Sequence, residues 1–371
     1  MVTQLKGPGV QKIRFSAQIG FHETLQKRVR QYFAARQLPT TGDWRMFLKA
    51  GICLTWLVTA YVLLVFFATS LTTAIITAFA LAQGCILVSF NTMHDGAHGS
   101  FSTNKKMNWL MGFMLDVIGG SQMLWRQKHN VLHHTYTNIN ALDSDLHTSG
   151  MLRFHPEQRW WPWHRWQHVY AFPLYSLLTL SWVTVSDFRK VFSGYIGPYK
   201  LRKYTVLEVV RFFFMKFFYA GYALLLPLFF HPVSHVLLAF LAVHLLIGFT
   251  LSIVFQLAHT VEPNTFPSPD THTGTIHNEW AMHEVETTAD FAPHNTLVTW
   301  YVGGLNFQIE HHLFPRMCHV HYPAISSIVR ETCQEFALPY VCYPTLRSAM
   351  TAHYRFLRAM GRRPADIRGP L

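Results

Sequence analysis

Apolar and polar positions along this chain fall into long blocks. No Asp, Glu, Lys or Arg occurs between Lys49 and Asp95, nor between Lys216 and Glu262. Each gap is about 45 residues, which as helix rises about 68 Å, roughly twice a 30 Å hydrocarbon core. Each therefore predicts a hairpin of two spans. The first reads as 47–69 and 72–92, turning near Ser70–Thr73; the second reads as 212–230 and 234–258, turning at His231–Pro232. Arg45, Lys49, Lys105, Lys106, Arg202, Lys203, Arg211 and Lys216 flank the blocks, whereas neither turn carries Lys or Arg. Positive residues stay on the cytoplasmic side, so the turns are expected outside and both termini inside.

A third apolar stretch, Trp166–Ser186, is long enough to span. A crossing there would carry Arg189, Lys190, Lys200, Arg202, Lys203 and Arg211 to the outer side. Pro173 and the aromatic edge of Trp160, Trp161, Trp163 and Trp166 suit an interfacial or re-entrant helix better. Phe101–Gly120 reads as an apolar helix too short to cross. The expected fold is an all-α integral membrane protein, with four transmembrane helices in two hairpins, interfacial helices, and a cytoplasmic helical cap holding a di-metal site. The expected units are a cytoplasmic N-terminal flank (1–46), a membrane domain (47–345) and a cytoplasmic C-terminal tail (346–371).

Composition sharpens this picture. Charged residues make up 13% of the chain, against roughly 25% in soluble domains. That excludes an ordinary soluble domain, a disordered chain and a small disulfide scaffold. The net charge of +12 sits beside apolar blocks, which points to membrane lipids and away from nucleic acid. Five scattered cysteines, Cys53, Cys85, Cys318, Cys333 and Cys342, contain no CxxC pair and read as reduced thiols. The opening MVTQLKGPGVQKIRF lacks an apolar core and a cleavage site, so no cleavable signal peptide is expected. The remaining oddity is 23 histidines, more than the 19 Asp and Glu together.

The histidines cluster where the apolar blocks end. His94-Asp95-Gly96-Ala97-His98 places two imidazoles one helical turn apart, on one face, able to share a metal. His129-Asn130-Val131-Leu132-His133-His134 repeats that spacing, with His134 turned about 100° away and free to reach a second ion. Gln308-Ile309-Glu310-His311-His312 forms a third cluster, and His259 stands at the inner end of the fourth predicted span. One metal rarely takes more than about six donors, so this many imidazoles imply at least two ions.

In order and spacing, HDGAH, HNVLHHTYTN and GGLNFQIEHHLFP with the following HVHYP resemble the three histidine boxes of the membrane fatty acid desaturases, over roughly residues 40–345. Gln308 at the head of the third box resembles the front-end subgroup, of delta-5 and delta-6 type, which desaturates between an existing double bond and the carboxyl end. The resemblance implies two iron ions bound by His94, His98, His129, His133, His134, His259, His311 and His312. It implies O2 and two electrons used to remove two hydrogens, giving a cis double bond in an acyl-lipid or acyl-CoA chain. Chemistry agrees: an unactivated methylene has no acidic proton, so a general base cannot open it and an oxidising metal centre must. The acyl chain needs a long apolar slot, which spans rich in Phe and Trp can build, so selectivity should follow slot length and bend.

Two departures from the pattern matter. Gln308 replaces a histidine common in desaturases; as a weaker donor it either ligates, acts through water, or orients Glu310 or His312. No haem-binding His-Pro-Gly-Gly occurs, so no fused haem is expected and electrons should come from a separate ferredoxin or cytochrome b5 type carrier. Asp95 and Glu310 are candidates to ligate or to hold a ligand from behind. Asn138, Asp143 and Asp145 either fix His133 and His134, contact a headgroup, or cap a turn, and Asn138 is also a candidate ligand. His147, His155, His164 and His168 are expected at lipid headgroups or on the surface, His231 and His235 at the outer turn, and His319 and His321 in packing. His244 is an intramembrane polar residue without an assigned role, and His272, His277, His283 and His294 lie in the inner segment before the third box. The rival within the same chemistry is a di-iron hydroxylase or ketolase. A histidine-rich metal transporter is a distant one, and it predicts ligands within the spans. The expected location is a bacterial inner membrane, with the site cytoplasmic.

Overall fold

The computed structural model describes residues 13–140, 142–270 and 272–363. Most of the segment read for a signal peptide and the end of the expected tail, 364–371, lie outside the described residues.

Among the described residues, four helices are long and apolar enough to cross a membrane: Trp44–Phe67, Leu71–His98, Val206–Phe229 and Val233–His259. These are the two predicted hairpins. Phe66, Phe67, Ile75, Ile76, Phe79, Phe214, Phe217, Leu237 and Leu238 are exposed on them, an outer surface that only lipid can cover. The turns meet on one side, where Nε2 of His231 lies 2.8 Å from Val65 O and the rings of Phe66 and Phe230 are 4.9 Å apart. The histidine boxes lie at the opposite helix ends.

Helix starts differ from the expectation, for a physical reason. The third span begins at Val206, before the expected 212, because Thr205 and Glu208 form a capping box. The Thr205 hydroxyl accepts from Glu208 N at 3.2 Å, and the Glu208 carboxylate accepts from Thr205 N at 2.9 Å. The first span likewise starts at Trp44, capped by Asp43. Lys216, a charge inside the third span, is paired within the protein. The buried ammonium of Lys216 lies 2.9 Å from the buried Asp187 carboxylate and donates to Gly119 O at 2.7 Å.

The third apolar stretch is broken, a shape common to a re-entrant loop and to a broken span. Pro162–Tyr175 and Leu178–Ser193 meet at 66°. The elbow presses on the fourth span at Gly248, where a Cβ would stand 2.3 Å from Ser176 O. Thr179 Oγ1 donates to His244 O at 2.9 Å. The His244 ring is held between Thr179 Oγ1 at 3.1 Å and the Tyr219 hydroxyl at 2.6 Å, which gives the unassigned intramembrane histidine a structural place. His155 and His164 depart from the headgroup or surface expectation: both are buried, His164 with Nε2 2.9 Å from Gly150 O.

A helical cap closes the box side. Phe21, Leu25, Val29 and Phe33 from the helix Phe21–Arg36 pack into one cluster with Ile325, Val329 and Cys333 from Tyr322–Glu335. The Glu279 carboxylate gathers the backbone N–H groups of Ile19, Gly20, Phe21 and His22 at 2.7–3.2 Å, neutralising the positive end of the first of these helices. The helix Leu346–Met360 buries Phe356 and Leu357 in the main core. Its His353 bridges the Tyr175 hydroxyl at 2.9 Å and Thr260 O at 2.8 Å.

Candidate metal centre

The first box is the last turn of the second span, so its imidazoles are delivered by a helix fixed in the membrane. The second box follows Gln122–Arg126 through a π-helical turn, Gln127–His133. A π turn brings residue i+5 over residue i. Here Nε2 of His134 comes to 3.2 Å from Nε2 of His129. The third box is the buried turn Gln308–Leu313, and His259 closes the fourth span.

All eight predicted histidines converge. His94, His98, His129 and His311 bring ligand atoms within 4.8 Å of one another, and His133, His259 and His312 do the same. His134 lies between the sets, with ring centroids 4.7 Å from His311 and 4.4 Å from His312. The expectation that His129 and His133 share a face holds, since their rings stack at 5.3 Å. Their donor atoms nevertheless open into different sets, and the neighbours His311 and His312 divide in the same way.

The nitrogens fit a cation. Nε2 of His94 and Nε2 of His129 are 3.3 Å apart, the spacing of two ligands on one ion with bonds of about 2.1 Å. Nε2 of His98, His133, His311 and His312, and Nδ1 of His134 and His259, are buried without a partner. Orphaned buried nitrogens are costly unless a ligand takes them. Burial and the neighbouring imidazoles hold His129, His134, His311 and His312 well below the ordinary histidine value, so these rings are neutral and keep their lone pairs. Burial acts the same way on His133, but the charge and hydrogen bond of Asp143 outweigh it and raise the ring.

Three groups aim the rings from behind. Nδ1 of His133 lies 3.1 Å from Asp143 Oδ2, Nδ1 of His312 lies 2.7 Å from Glu284 Oε2, and Nδ1 of His311 lies 3.1 Å from the Tyr322 hydroxyl. That hydroxyl donates to Met317 O, so it accepts from His311. A proton held on Nδ1 leaves Nε2 free as the donor atom. Asp143 also caps the turn, accepting from Asp145 N at 2.9 Å, so the two roles weighed for it coexist. Neither Glu284 nor Tyr322 was singled out from the sequence, although Glu284 adjoins His283 and Tyr322 is the tyrosine of HVHYP.

Of the remaining candidates, Asp145 pairs with Lys128 and also keeps Oδ2 3.8 Å from Nδ1 of His133, beside Asp143. Asn138 donates to His259 O at 2.9 Å and Thr287 O at 3.1 Å, carrying the backbone beneath a ligand. Asp95 turns away to His319. Gln308 is buried at the head of the third box, and no residue among those described hydrogen-bonds its amide. Glu310 turns away from the rings, with Oε1 accepting from the Tyr340 hydroxyl at 2.9 Å; the same hydroxyl touches Asp290.

That buried acid pair has a pH signature. Burial pushes the Asp290 carboxyl up to about 6, and burial together with the Asp290 charge raises Glu310 well above its ordinary value. Folded protein then holds protons that the unfolded chain has released, so stability falls as pH rises from about 4 towards about 6. Asp290→Asn should flatten that decline in Tm; an unchanged slope in the variant would count against this assignment.

With the geometry in hand, the chain can be set beside known proteins. The Fatty acid desaturase family pattern matches residues 70–344. An sn-1 linoleoyl-lipid 6-desaturase of Synechocystis sp. is 35% identical, over 95% of this chain and 98% of its own length. One of the same description from Arthrospira platensis is 37% identical, over 95% and 96%. An acyl-lipid (8-3)-desaturase of Physcomitrium patens is 38% identical, over 92% of this chain and 72% of its own.

Proposed function

The chain belongs to the fatty acid desaturase family, and from that premise we propose that it inserts a cis double bond into the acyl chain of a membrane lipid, at two irons held by His94, His98, His129, His133, His134, His259, His311 and His312. The observation that carries this reading is the convergence of orphaned ring nitrogens in two sets. Two irons held there would activate O2 and so supply the oxidising power that an unactivated C–H bond demands. In balance, two adjacent methylenes lose one hydrogen each, and these two hydrogens with O2, two electrons and two protons give two waters.

The chain's own residues do the rest. Asp143, Glu284 and Tyr322 keep each ring in its donor tautomer. The Trp125 indole stacks on His129 at 4.3 Å and packs with Met93, Ala97 and Leu115, so it forms an apolar wall where the acyl chain would pass. Next to it lies a cavity of about 20 Å³ whose lining includes Leu115, Ile118, Thr179, Trp182, His244 and Leu251; it is water-sized, so these side chains would have to part to admit an acyl chain. Relatives described as linoleoyl-lipid 6-desaturases, together with Gln308 heading the third box, favour a lipid-bound, already unsaturated substrate and front-end insertion. Lys and Arg at the box side of the spans favour a cytoplasmic site in a bacterial inner membrane, fed by a separate ferredoxin or cytochrome b5 type carrier.

The test is expression with such a carrier in a host whose lipids contain linoleoyl chains, followed by mass-spectrometric location of double bonds. A new double bond on the carboxyl side of the existing ones is expected. No new unsaturation would refute the reading, and new hydroxyl groups in its place would move the protein to the hydroxylases.

A further inference from the structure

Behind the first box lies a set of charged groups that the proposed reaction does not use. Lys49, in the second turn of the first span, is 6% exposed, His319 3% and Asp95 1%. The Lys49 ammonium is 2.9 Å from Nε2 of His319, and Nδ1 of His319 is 2.7 Å from Asp95 Oδ2. The same oxygen takes the Cys318 thiol at 3.0 Å and His319 N at 3.4 Å.

An ammonium only donates, so Nε2 must accept. The ring proton then sits on Nδ1 and is donated to Asp95. A neutral imidazole thus bridges a buried cation and a buried anion. Asp95, Cys318 and His319 bring donor atoms within 4.8 Å of one another, but these are not a third metal site. Unlike the nitrogens of the two histidine sets, their facing atoms are all partnered, and an ammonium stands beside them.

We infer that the Lys49–His319–Asp95 bridge is the positioning device of the first box, holding its helical turn so that His94 and His98 face the metal. Successive helix residues are about 100° apart, so Asp95 projects to one flank of the face that carries the two imidazoles. Drawing its carboxylate to His319 sets the rotation of that face. The bridge also joins three distant stretches. The chain around His319 is fastened to the start of the first span by Cys318 N donating to Thr40 O at 2.9 Å and by His321 Nε2 at 3.0 Å from Thr41 O. His311 precedes this stretch on the same chain, so the bridge sets the first box against the third within one metal set. The consequence for metal rests on the two-iron reading; the bridge itself does not.

The test is a charge-neutralisation cycle in the full-length protein. Lys49→Met strands the carboxylate, Asp95→Asn strands the ammonium, and the double variant leaves neither charge unpaired. Each single variant is expected to lower the Tm of the metal-free protein. Each should also weaken retention of one ion of the two by about tenfold or more, the scale of lost outer partners of metal ligands. The double variant should recover the metal-free Tm, and Lys49→Arg should keep both readouts. His319→Gln, which changes neither charge, should lose the same ion should Lys49→Met fail to fold. Wild-type Tm and metal content in the single variants, equal loss of both ions, or a double variant as impaired in Tm as the singles combined would each overturn the inference. The metal-free Tm reads the bridge even if the wild type binds no iron, so the two ideas can fail separately.

Discussion

His134→Ala is expected to abolish desaturation and to empty both metal sets, the largest effect of any single ligand change. Its Nε2 is 3.2 Å from Nε2 of His129 in one set, while its ring lies 4.4 Å from His312 of the other. Removing His94 or His259 would strip a donor from one set; removing His134 takes away the ring that stands between both. Partners one layer behind metal ligands are already worth about 10- to 100-fold in affinity or activity, so loss of this ring should cost at least about 100-fold. Purified variant should hold fewer than about one iron per chain where the wild type holds about two. His353→Ala is the control for deleting any buried histidine. Its ring is equally buried, with both nitrogens hydrogen-bonded to Tyr175 and Thr260. It should lower Tm yet leave the iron content unchanged. Full metal and activity in His134→Ala would refute its place between the sets.

The contrast between His134 and Glu284 marks how far the sequence reached. Charge-free blocks announce spans because lipid excludes charge, and i, i+4 imidazoles announce a shared face because helix geometry is local. Both are short-range facts, and both hairpins and all eight converging histidines were legible. Glu284 reaches His312, Tyr322 reaches His311 and His319 reaches Asp95 only after folding brings separate segments together, and no spacing rule records that. The same limit explains the span edges. Lys49 and Lys216 looked like flanks because a lone charge belongs at the interface, yet each is buried beside a group contributed by a remote segment. The division of His129 and His133 between two sets depended on a π turn that the histidine spacing does not reveal.

Gly96→Ala should leave the protein folded and take most of its activity. Gly96 is the middle residue of HDGAH. In the structure, a Cβ there would stand 2.5 Å from Gly112 N, 2.6 Å from Met111 Cβ and 2.9 Å from Asn108 O. Two of those atoms are backbone in the neighbouring helix Lys105–Val117 and cannot swing aside. Alanine gains about 1 kcal/mol over glycine in helix propensity, while overpacking costs about 1–3 kcal/mol, so the net loss of stability is small. The first box escapes the clash by moving away from that helix, and His94 and His98 move with it. A displacement of about 1 Å at a reacting centre costs on the order of 100-fold, and iron should be lost chiefly from the set built on His94, His98, His129 and His311. Two glycines calibrate the result. At Gly112 the nearest obstacle to a Cβ is Gln122 Nε2, the tip of a flexible side chain, so Gly112→Ala should be milder. At Gly51, in the first span, a Cβ meets nothing within 4 Å, and Gly51→Ala should be neutral or slightly stabilising. If Gly96→Ala kept activity within about twofold while Tm fell by the overpacking cost, the close approach would matter to the fold alone, and the first box would not be held in place by its contact with the neighbouring helix.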